Sequence, residues 1–272
     1  MKPDLTQTLE DLQLDYLDSF VIHWAQAAPA TGKACATRLT GEYPAPASEN
    51  TMFPVDDEGY FCSDNDCHYL ETWEAMEDLV EEGLVKSIGL SNFNRRQVTE
   101  VLTKSDRKLP VSVLQCECHA YLQQKDLIDF CHLNNIAFQC YSPLGSGKTH
   151  LGVTESPSGV IPLEDPFILS LAHKYNKNPG QILLKFQLQR GLALVSKSVN
   201  EKRIANNFEI FDWNIDEADM QQFETINYGW RHLHWRETSH HPDYPFPEEL
   251  PYKYQLEKAP KVTSCGVEGP TK

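Results

Sequence analysis

The chain has 272 residues, a formal net charge of −15, 40% hydrophobic residues and 10% aromatic residues. These proportions are typical of a folded globular protein and exclude a disordered chain, and the length suits one α/β barrel. The acidic balance argues against a nucleic-acid partner, because binding to a phosphate backbone requires clustered Lys and Arg. No run of about 18 apolar residues predicts a membrane span, and the polar start of the chain predicts no signal peptide.

Apolar residues alternate between helical and strand-like spacing along the chain. The spacing predicts five strands, over 17–23, 87–91, 111–117, 136–142 and 192–197. Helices are predicted around 5–12 and over 70–84, 95–103, 125–133, 166–175 and 179–190. After the last strand, a helix opens with a capping box from Ser198 to Glu201, and a last helix follows over 216–226. Strands that alternate with helices predict a parallel sheet. The stretch 25–68 exceeds ordinary connection lengths, and we interpret it as a functional loop or a loosely ordered insertion.

Eight cysteines are scattered along the chain, some of them within apolar, strand-like runs. Without a secretory signal, we interpret them as reduced thiols and expect the protein in the cytosol. The group Cys62, Cys67 and His68 matches no standard metal-site spacing and lacks a fourth ligand, so no metal site is predicted. His240 and His241 lie in a polar tail and are expected to be solvated.

Each of the five predicted strands ends in polar side chains. These are His23-Trp24, Ser91-Asn92, Gln115 with Glu117, Tyr141-Ser142 and Lys197-Ser198. In a (β/α)₈ barrel, the carboxyl ends of the strands and the loops that follow them form the active site. A single His or Tyr at a strand end is more often structural than functional, but five coincident polar ends favour a functional site.

Lys197 and Arg203 flank the predicted start of a helix at Ser198. The first turn of a helix presents free N–H groups and the positive end of the helix dipole, which suits a phosphate. Two cations beside such a terminus predict a site for a phosphate monoester or a similar anion, and the alternative is a pair of surface charges. The sequence contains no Gly-x-Gly-x-x-Gly or P-loop pattern, which excludes the usual Rossmann and Walker interpretations.

Six segments of the chain resemble signature sequences of the aldo-keto reductase family, in particular those of its aldehyde and aldose reductases. They are LEDLQLDYLDSFVIHW (9–24), ETWEAMEDLVEEGLVKSIGLSNFN (71–94), QCECHAYLQQ (115–124), AFQCYSPLGSG (137–147), SKSVNEKRIANNFEIFDW (196–213) and HPDYPF (241–246). The resemblance implies a (β/α)₈ TIM-barrel fold, of which this chain would hold strands four to eight. It also implies a single domain over 1–272 that is partial at its N-terminus, with a substrate-specificity loop and tail over 227–272.

The resemblance implies NADPH-dependent reduction of aldehydes or ketones to alcohols by hydride transfer, with NADPH/NADP⁺ as cofactor, a small carbonyl compound as substrate and a monomeric family form. His23 would be the catalytic histidine that orients the substrate carbonyl, and Trp24 and Trp230 would bind the substrate. The cofactor-binding residues would be Ser91, Asn92 and Gln115 at the nicotinamide carboxamide, Tyr141 stacked on the nicotinamide ring, Ser142, Leu144 and Ser146 along the pyrophosphate, Lys197, Ser198 and Arg203 at the adenosine 2′-phosphate, and Asn206 and Asn207 at the adenine.

The catalytic set of the family combines Asp, Tyr, Lys and His, and the first three would precede the strand that ends in His23. None of the eleven tyrosines of the chain is assigned to the proton-donor role. We therefore expect negligible NADPH oxidation by residues 1–272 alone. Two hypotheses stay open: a reductase whose activity belongs to a longer form, and a non-catalytic dinucleotide-binding or partner-binding protein derived from a reductase.

Overall fold

A computed structural model of the chain describes residues 1–29, 37–38, 62–146, 156–235, 238–239 and 241–249. These residues belong to two compact units. The first comprises Met1–Val111 with His234–Lys272, and the second comprises Ser112–Leu233. Across the described ranges, no helix combines the length and the hydropathy that crossing a membrane requires.

The first unit follows the predicted order of helices and strands, although its strands are shorter than predicted. Its elements are α1 (Lys2–Leu12), β1 (Phe20–Ile22), β2 (Thr37–Arg38), β3 (Cys62–Ser63), α2 (Tyr69–Glu81), β4 (Ile88–Ser91) and α3 (Arg95–Lys104), with a 3-10 helix at Pro247–Glu249. β1 and β4 pair in parallel, with Phe20 opposite Ile88 and Ile22 opposite Leu90. This register places the carboxyl ends of the two strands side by side.

Side-chain caps fix where α2 and α3 begin. His68 Nδ1 accepts a hydrogen bond from the backbone N–H of Leu70 (3.2 Å) at the start of α2. Asn94 Oδ1 accepts from the backbone N–H of Gln97 (2.9 Å), and Gln97 Oε1 accepts in return from the N–H of Asn94 (3.1 Å). This reciprocal pair is a capping box. Because α3 begins directly after Asn94, the box also fixes the short loop that follows β4.

Within the stretch 25–68, β2 and β3 form an antiparallel pair, and the interpretation of this stretch as a functional loop or a loosely ordered insertion stays a prediction. Two predictions for the first unit are wrong. Cys62 is disulfide-bonded rather than reduced, since pairing depends on which cysteines the fold brings together and spacing does not reveal this. Among the described residues, the cysteines that remain thiols are Cys67, Cys116, Cys118, Cys131 and Cys140. His241 is buried rather than solvated, and its Nδ1 accepts from the N–H of Asp243 (3.0 Å) because the tail folds back onto this unit. His240 lies outside the described residues.

The second unit contains three parallel strands in the order β5–β6–β7. Its elements are β5 (Val113–Glu117), α4 (Lys125–Leu133), β6 (Ala137–Tyr141), α5 (Pro166–Tyr175), α6 (Pro179–Gln189), β7 (Ala193–Val195), α7 (Glu201–Phe208) and α8 (Glu217–Gln222), with 3-10 helices at Pro162–Glu164 and Phe223–Ile226. Side chains alternate between the two faces of a strand. One face of β5 and β6 carries the buried residues Leu114, Cys116, Phe138 and Cys140. The other face carries Gln115, Glu117, Gln139 and Tyr141.

The core of the second unit packs around α6. Asn178 begins this helix as predicted, because its Oδ1 accepts from the N–H of Gln181 (2.9 Å) and Pro179 occupies the first helical position. The ring of Phe186 stacks on that of Phe223, with centroids 3.8 Å apart and 5° between the planes. This packing holds α6 against the 3-10 helix that follows α8.

The helix predicted to open at Ser198 begins instead at Glu201. Asn200 is its N-cap, and Asn200 Oδ1 accepts from the backbone N–H of Arg203 (3.0 Å). Ser198 Oγ accepts from the N–H of Asn200 (3.2 Å) and thereby closes a turn before the helix. The predicted capping box is wrong because the Asn carboxamide takes the cap. Arg203 consequently lies in the first turn of α7.

Candidate active site

In the first unit, an asparagine joins the carboxyl ends of β1 and β4. Asn92 has a left-handed backbone (φ 58°), a conformation that Asn adopts more readily than most residues. Its Nδ2 donates to the backbone oxygen of His23 (3.0 Å) and to Ser91 Oγ (3.2 Å). The structure therefore brings together His23, Ser91 and Asn92, all of which the sequence predicted as site residues.

The imidazole of His23 is suited to hydrogen bonding rather than to carrying charge. The side chain as a whole is exposed, yet burial of part of the ring lowers the pKa of His23 below its ordinary value of 6.5. The ring is therefore neutral at pH 7, with one nitrogen that donates and one that accepts. A neutral imidazole can donate to the oxygen of a carbonyl group.

Beside His23, Trp24 lies among other aromatic rings of the same unit. Its centroid is 5.0 Å from that of Trp235 at an interplanar angle of 62°, and 6.0 Å from that of Phe246 at 73°. Such edge-to-face contacts hold aromatic side chains in fixed orientations. Trp235 belongs to the tail that the sequence linked to substrate preference, but no sequence signal pointed to this residue.

In the second unit, the predicted residues Gln115 and Tyr141 lie on the polar face of β5 and β6. Gln115 Nε2 donates to Gln139 Oε1, so the carbonyl oxygen of Gln115 is left to accept from an amide. Tyr141 is half-buried, and burial together with the nearby Glu117 carboxylate raises the pKa of its phenol. Tyr141 thus stays neutral, which suits a ring that stacks on another ring.

A turn with several left-handed residues follows β6. The values of φ are 51° at Ser142, 75° at Gly145 and 41° at Ser146. Ser146 Oγ donates to Ser142 Oγ (3.0 Å), and the N–H of Gly145 donates to the backbone oxygen of Ser142 (2.8 Å). Leu144 anchors the turn on the core of this unit. Turns of this kind direct N–H groups into a concavity that binds anions.

Lys197 and Arg203 lie at the N-terminal end of α7, and both side chains are exposed. Within the described parts of the chain, neither side chain forms an ion pair or a hydrogen bond. Ser198 lies between them along the chain and keeps its hydroxyl hydrogen as a donor. These three predicted residues therefore present two uncompensated positive charges and a hydroxyl beside a helix N-terminus.

The two predicted adenine-binding residues lie at the other end of α7. Asn207 Nδ2 donates to Ser196 Oγ (3.3 Å), and Asn207 lines a cavity of about 260 Å³ whose other walls are mostly apolar. The backbone oxygen of Asn206 accepts from Gln181 Nε2 (3.0 Å), which fixes the end of the helix. Both asparagine side chains are half-buried, so part of each stays accessible.

Comparison with known proteins decides the family. A family profile described as "Aldo/keto reductase family" matches residues 1–228. The chain belongs to the aldo/keto reductase family. This result confirms the family that the six segments of the sequence indicated.

This aldo/keto reductase is similar to Aldo-keto reductase family 1 member A1 of Pongo abelii, at 39% identity over 233 residues, which are 86% of this chain and 64% of that protein. The Homo sapiens protein of the same name is 38% identical over 233 residues, with the same coverage. The chain thus spans less than two thirds of the length of these relatives. A solved structure of the aldose reductase from Schistosoma japonicum matches with a TM-score of 0.75 and 35% identity, over 92% of this chain and 71% of the other. The likeness supports the (β/α)₈ fold class, whereas the restriction to strands four to eight stays a prediction.

Each unit of this aldo/keto reductase carries groups of the kind that bind part of a phosphorylated dinucleotide. In the first unit, Ser91 and Asn92 supply hydroxyl and amide groups. In the second unit, the turn at 142–146 supplies N–H and hydroxyl groups, and Lys197 and Arg203, which form no ion pair within the described residues, supply positive charge. Amide donors and acceptors suit a carboxamide, and cations with N–H groups suit phosphates.

Sequence reasoning named Glu117 as a polar strand end but gave it no role. In the structure, Glu117 is fully buried and accepts hydrogen bonds from His119 and from the backbone of His232 and Leu233. The predicted substrate residue Trp230 lies just before these two backbone donors, and its own N–H donates to the oxygen of Tyr121 (3.0 Å). A Glu within the apolar run Cys116–Cys118 was the one available signal.

Proposed function

We propose that this aldo/keto reductase binds NADPH and is built to reduce an aldehyde or a ketone to an alcohol. The observation that carries the proposal is the pair of uncompensated cations, Lys197 and Arg203, beside the N-terminus of α7. Such a pair supports recognition of a phosphate monoester, which NADPH has at its adenosine and NADH lacks. When it is bound, the reduced nicotinamide supplies a hydride to the carbonyl carbon.

The residues of both units take distinct roles in this proposal. The adenosine 2′-phosphate is bound by Lys197, Ser198 and Arg203, and the adenine by Asn206 and Asn207. The pyrophosphate is lined by Ser142, Leu144 and Ser146. The carboxamide is bound by Ser91, Asn92 and Gln115, and the nicotinamide ring is stacked on Tyr141. The left-handed turn at 142–146 and the amide groups support these assignments. Trp24 and Trp230 contact the substrate.

His23 orients the substrate in this proposal. Its neutral imidazole donates a hydrogen bond to the carbonyl oxygen and thereby polarises the bond that is reduced. Because Asn92 holds the backbone oxygen of His23, the residue that orients the substrate and a residue that binds the cofactor are fixed to each other.

The reaction also requires a proton for the alkoxide oxygen, and here a second candidate function has support. Burial and hydrogen bonds to carboxylates raise the pKa of Tyr69, Tyr121 and Tyr175 above the ordinary value of 10, in the last case to about 12. Burial also raises the pKa of Tyr141. A general acid should have a pKa near neutrality, so none of these four is suited to donate the proton. Four of the eleven tyrosines are thus poor proton donors, which supports, as the second candidate, a protein that binds the dinucleotide but turns over little substrate.

A turnover assay separates the two candidates. The loss of NADPH absorbance is followed with glyceraldehyde for the wild type, for His23→Ala and for His132→Ala, an exposed histidine of α4 that serves as a control. Slow turnover that falls about 10²–10³-fold in His23→Ala and not in the control supports the reductase. NADPH binding without turnover in any variant supports the dinucleotide-binding candidate. A wild type that does not bind NADPH refutes both.

We also propose a cytosolic location. The five thiols among the described cysteines support it, because disulfides dominate in oxidising compartments, whereas the disulfide at Cys62 is evidence against it. Alkylation of the native protein before and after reduction, read by mass spectrometry on protein isolated from the cell, decides the state of Cys62.

A further inference from the structure

Glu117 is a buried carboxylate at the carboxyl end of β5, and three N–H groups point at it. His119 Nε2 lies 2.8 Å from it, the backbone nitrogen of His232 lies 2.7 Å away, and that of Leu233 lies 2.8 Å away. His119 Nδ1 accepts from the N–H of Tyr121 (3.3 Å), so the proton of the neutral ring is on Nε2, which must donate. A carboxylate that faces three donors must be ionised, because a protonated carboxyl group would carry a donor of its own.

The charge of Glu117 is stabilised where it lies. Burial on its own would raise the pKa of this carboxyl group. The hydrogen bond from His119, the charge of Arg231 and the backbone N–H of His232 outweigh burial and lower the pKa to about 2. Glu117 therefore remains a carboxylate at every pH at which the protein would work.

The backbone that Glu117 binds is the segment that carries Trp230. Gly229 opens this segment at φ 64°, and the N–H of Trp230 donates to the backbone oxygen of Tyr121 (3.0 Å). The N–H groups of His232 and Leu233, which follow in the chain, donate to the Glu117 carboxylate. The backbone N–H groups of residues 230–233, here called the anchored segment, thus donate three hydrogen bonds, one to the backbone of Tyr121 after β5 and two to the Glu117 carboxylate on β5.

Glu117 also lies on the strand face that carries a predicted cofactor residue. Gln115 is two residues earlier on β5 and shares this face, and Tyr141 pairs with Glu117 in the sheet register. The Trp230 ring centroid is 6.2 Å from that of His119, which itself donates to Glu117. One strand end therefore carries both a residue for the nicotinamide and the acceptor that holds a residue for the substrate.

We propose that Glu117 is a positioning residue for substrate recognition, because its carboxylate holds the anchored segment against the end of β5 and thereby keeps Trp230 in place. This inference rests on the proposed function for the role of Trp230. Glu117 touches neither substrate nor cofactor, and it acts through the backbone of His232 and Leu233. Its loss should therefore weaken substrate recognition and leave cofactor binding intact.

The test uses Glu117→Gln in the full chain and a matched control, Glu77→Gln. Glu77 is equally buried and also accepts three hydrogen bonds, from Trp73 Nε1, Ser105 Oγ and the N–H of Leu109, but it lies in the first unit and has no assigned function. Glutamine keeps the size of the side chain and replaces one acceptor oxygen by a donor. Three measurements that need no turnover are made on each variant: amide hydrogen exchange, the Kd for NADPH and the Kd for glyceraldehyde in the presence of saturating NADP⁺.

We expect exchange of the His232 and Leu233 amides to accelerate on the order of tenfold to a hundredfold in Glu117→Gln. The Kd for glyceraldehyde should rise about tenfold, while the Kd for NADPH stays within about twofold of the wild type. Glu77→Gln should change exchange near residues 105–109 and neither constant.

Unchanged exchange over residues 230–233 in Glu117→Gln overturns the inference. Faster exchange throughout the second unit, with a weakened Kd for NADPH, also overturns it, because Glu117 would then be a core residue only. Local acceleration in a protein that binds NADPH but has an unchanged Kd for glyceraldehyde overturns the role in substrate recognition. A wild type that does not bind NADPH refutes the proposed function, and the exchange data then still report on the anchor by themselves.

Discussion

Replacing Arg203 by Ala should weaken NADPH binding and leave NADH binding almost unchanged. A hydrogen bond between charged groups contributes roughly 1.5–3 kcal/mol. The guanidinium group of Arg203 is exposed, so water and salt screen its charge, and we expect a contribution of about 1.4 kcal/mol, which is a tenfold loss of affinity. NADH has no 2′-phosphate, so its Kd should change by less than about twofold.

The assay is quenching of tryptophan fluorescence during titration with each dinucleotide, at low salt and at about 0.5 M salt. The control is Lys202→Ala, which removes an exposed charge one position earlier on α7 without touching an assigned residue. The NADPH effect of Arg203→Ala should shrink at high salt because exposed charges are screened over a shorter distance. Equal losses for NADPH and NADH, or an equal loss in Lys202→Ala, would refute the assignment of Arg203 to the phosphate.

Three further predictions concern stability and association. Gly145→Ala should lower the free energy of unfolding by at least about 2 kcal/mol in a urea titration, because a Cβ there would lie 2.4 Å from Pro162 Cγ at a φ of 75°. The control, Gly159→Ala, has a similar φ of 73° but open space around the Cβ, so it should lower the unfolding free energy by less. Equal decreases in the two variants would contradict the clash with Pro162. The Glu117 carboxylate should stabilise the fold by on the order of 3 kcal/mol above about pH 4.5, and this stabilisation should be lost as the pH falls through about 2. The difference in unfolding free energy between wild type and Glu117→Gln should therefore shrink over that range. A difference that grows on acidification would be inconsistent with a lowered pKa. Phe208 is 75% exposed and lies close to β7, which has one strand partner in the described sheet, so this apolar strand edge is a candidate surface for self-association. Phe208→Ser should reduce self-association in analytical sedimentation. An unchanged mass distribution would argue against this surface.

The sequence predicted most element positions, because local signals suffice for them. Asn178 followed by Pro179 marks the start of α6, and the structure shows that cap. The failure at Ser198 has a local cause as well. Ser198 and Asn200 are both good N-cap residues, and the pattern alone does not say which of two caps two residues apart binds the helix N–H groups.

Site residues could be predicted only where the residue type and its place at the end of a predicted strand together indicated a function. His23 and Lys197 met that condition, and the family supported their roles. Trp235 did not, because its contact with Trp24 depends on how the tail folds back onto the first unit. The role of Glu117 could not be predicted because two of its three partners are backbone N–H groups, which every residue except proline carries and no sequence pattern distinguishes.

Titration of the wild-type chain with NADPH and with NADH tests the central claim most directly. Because Lys197 and Arg203 can both bind the 2′-phosphate, NADPH should bind more tightly by a factor of about ten to a thousand. The preference should narrow as salt is added. Equal dissociation constants for the two dinucleotides, or no binding of either, would contradict the claim that these residues form an NADPH site.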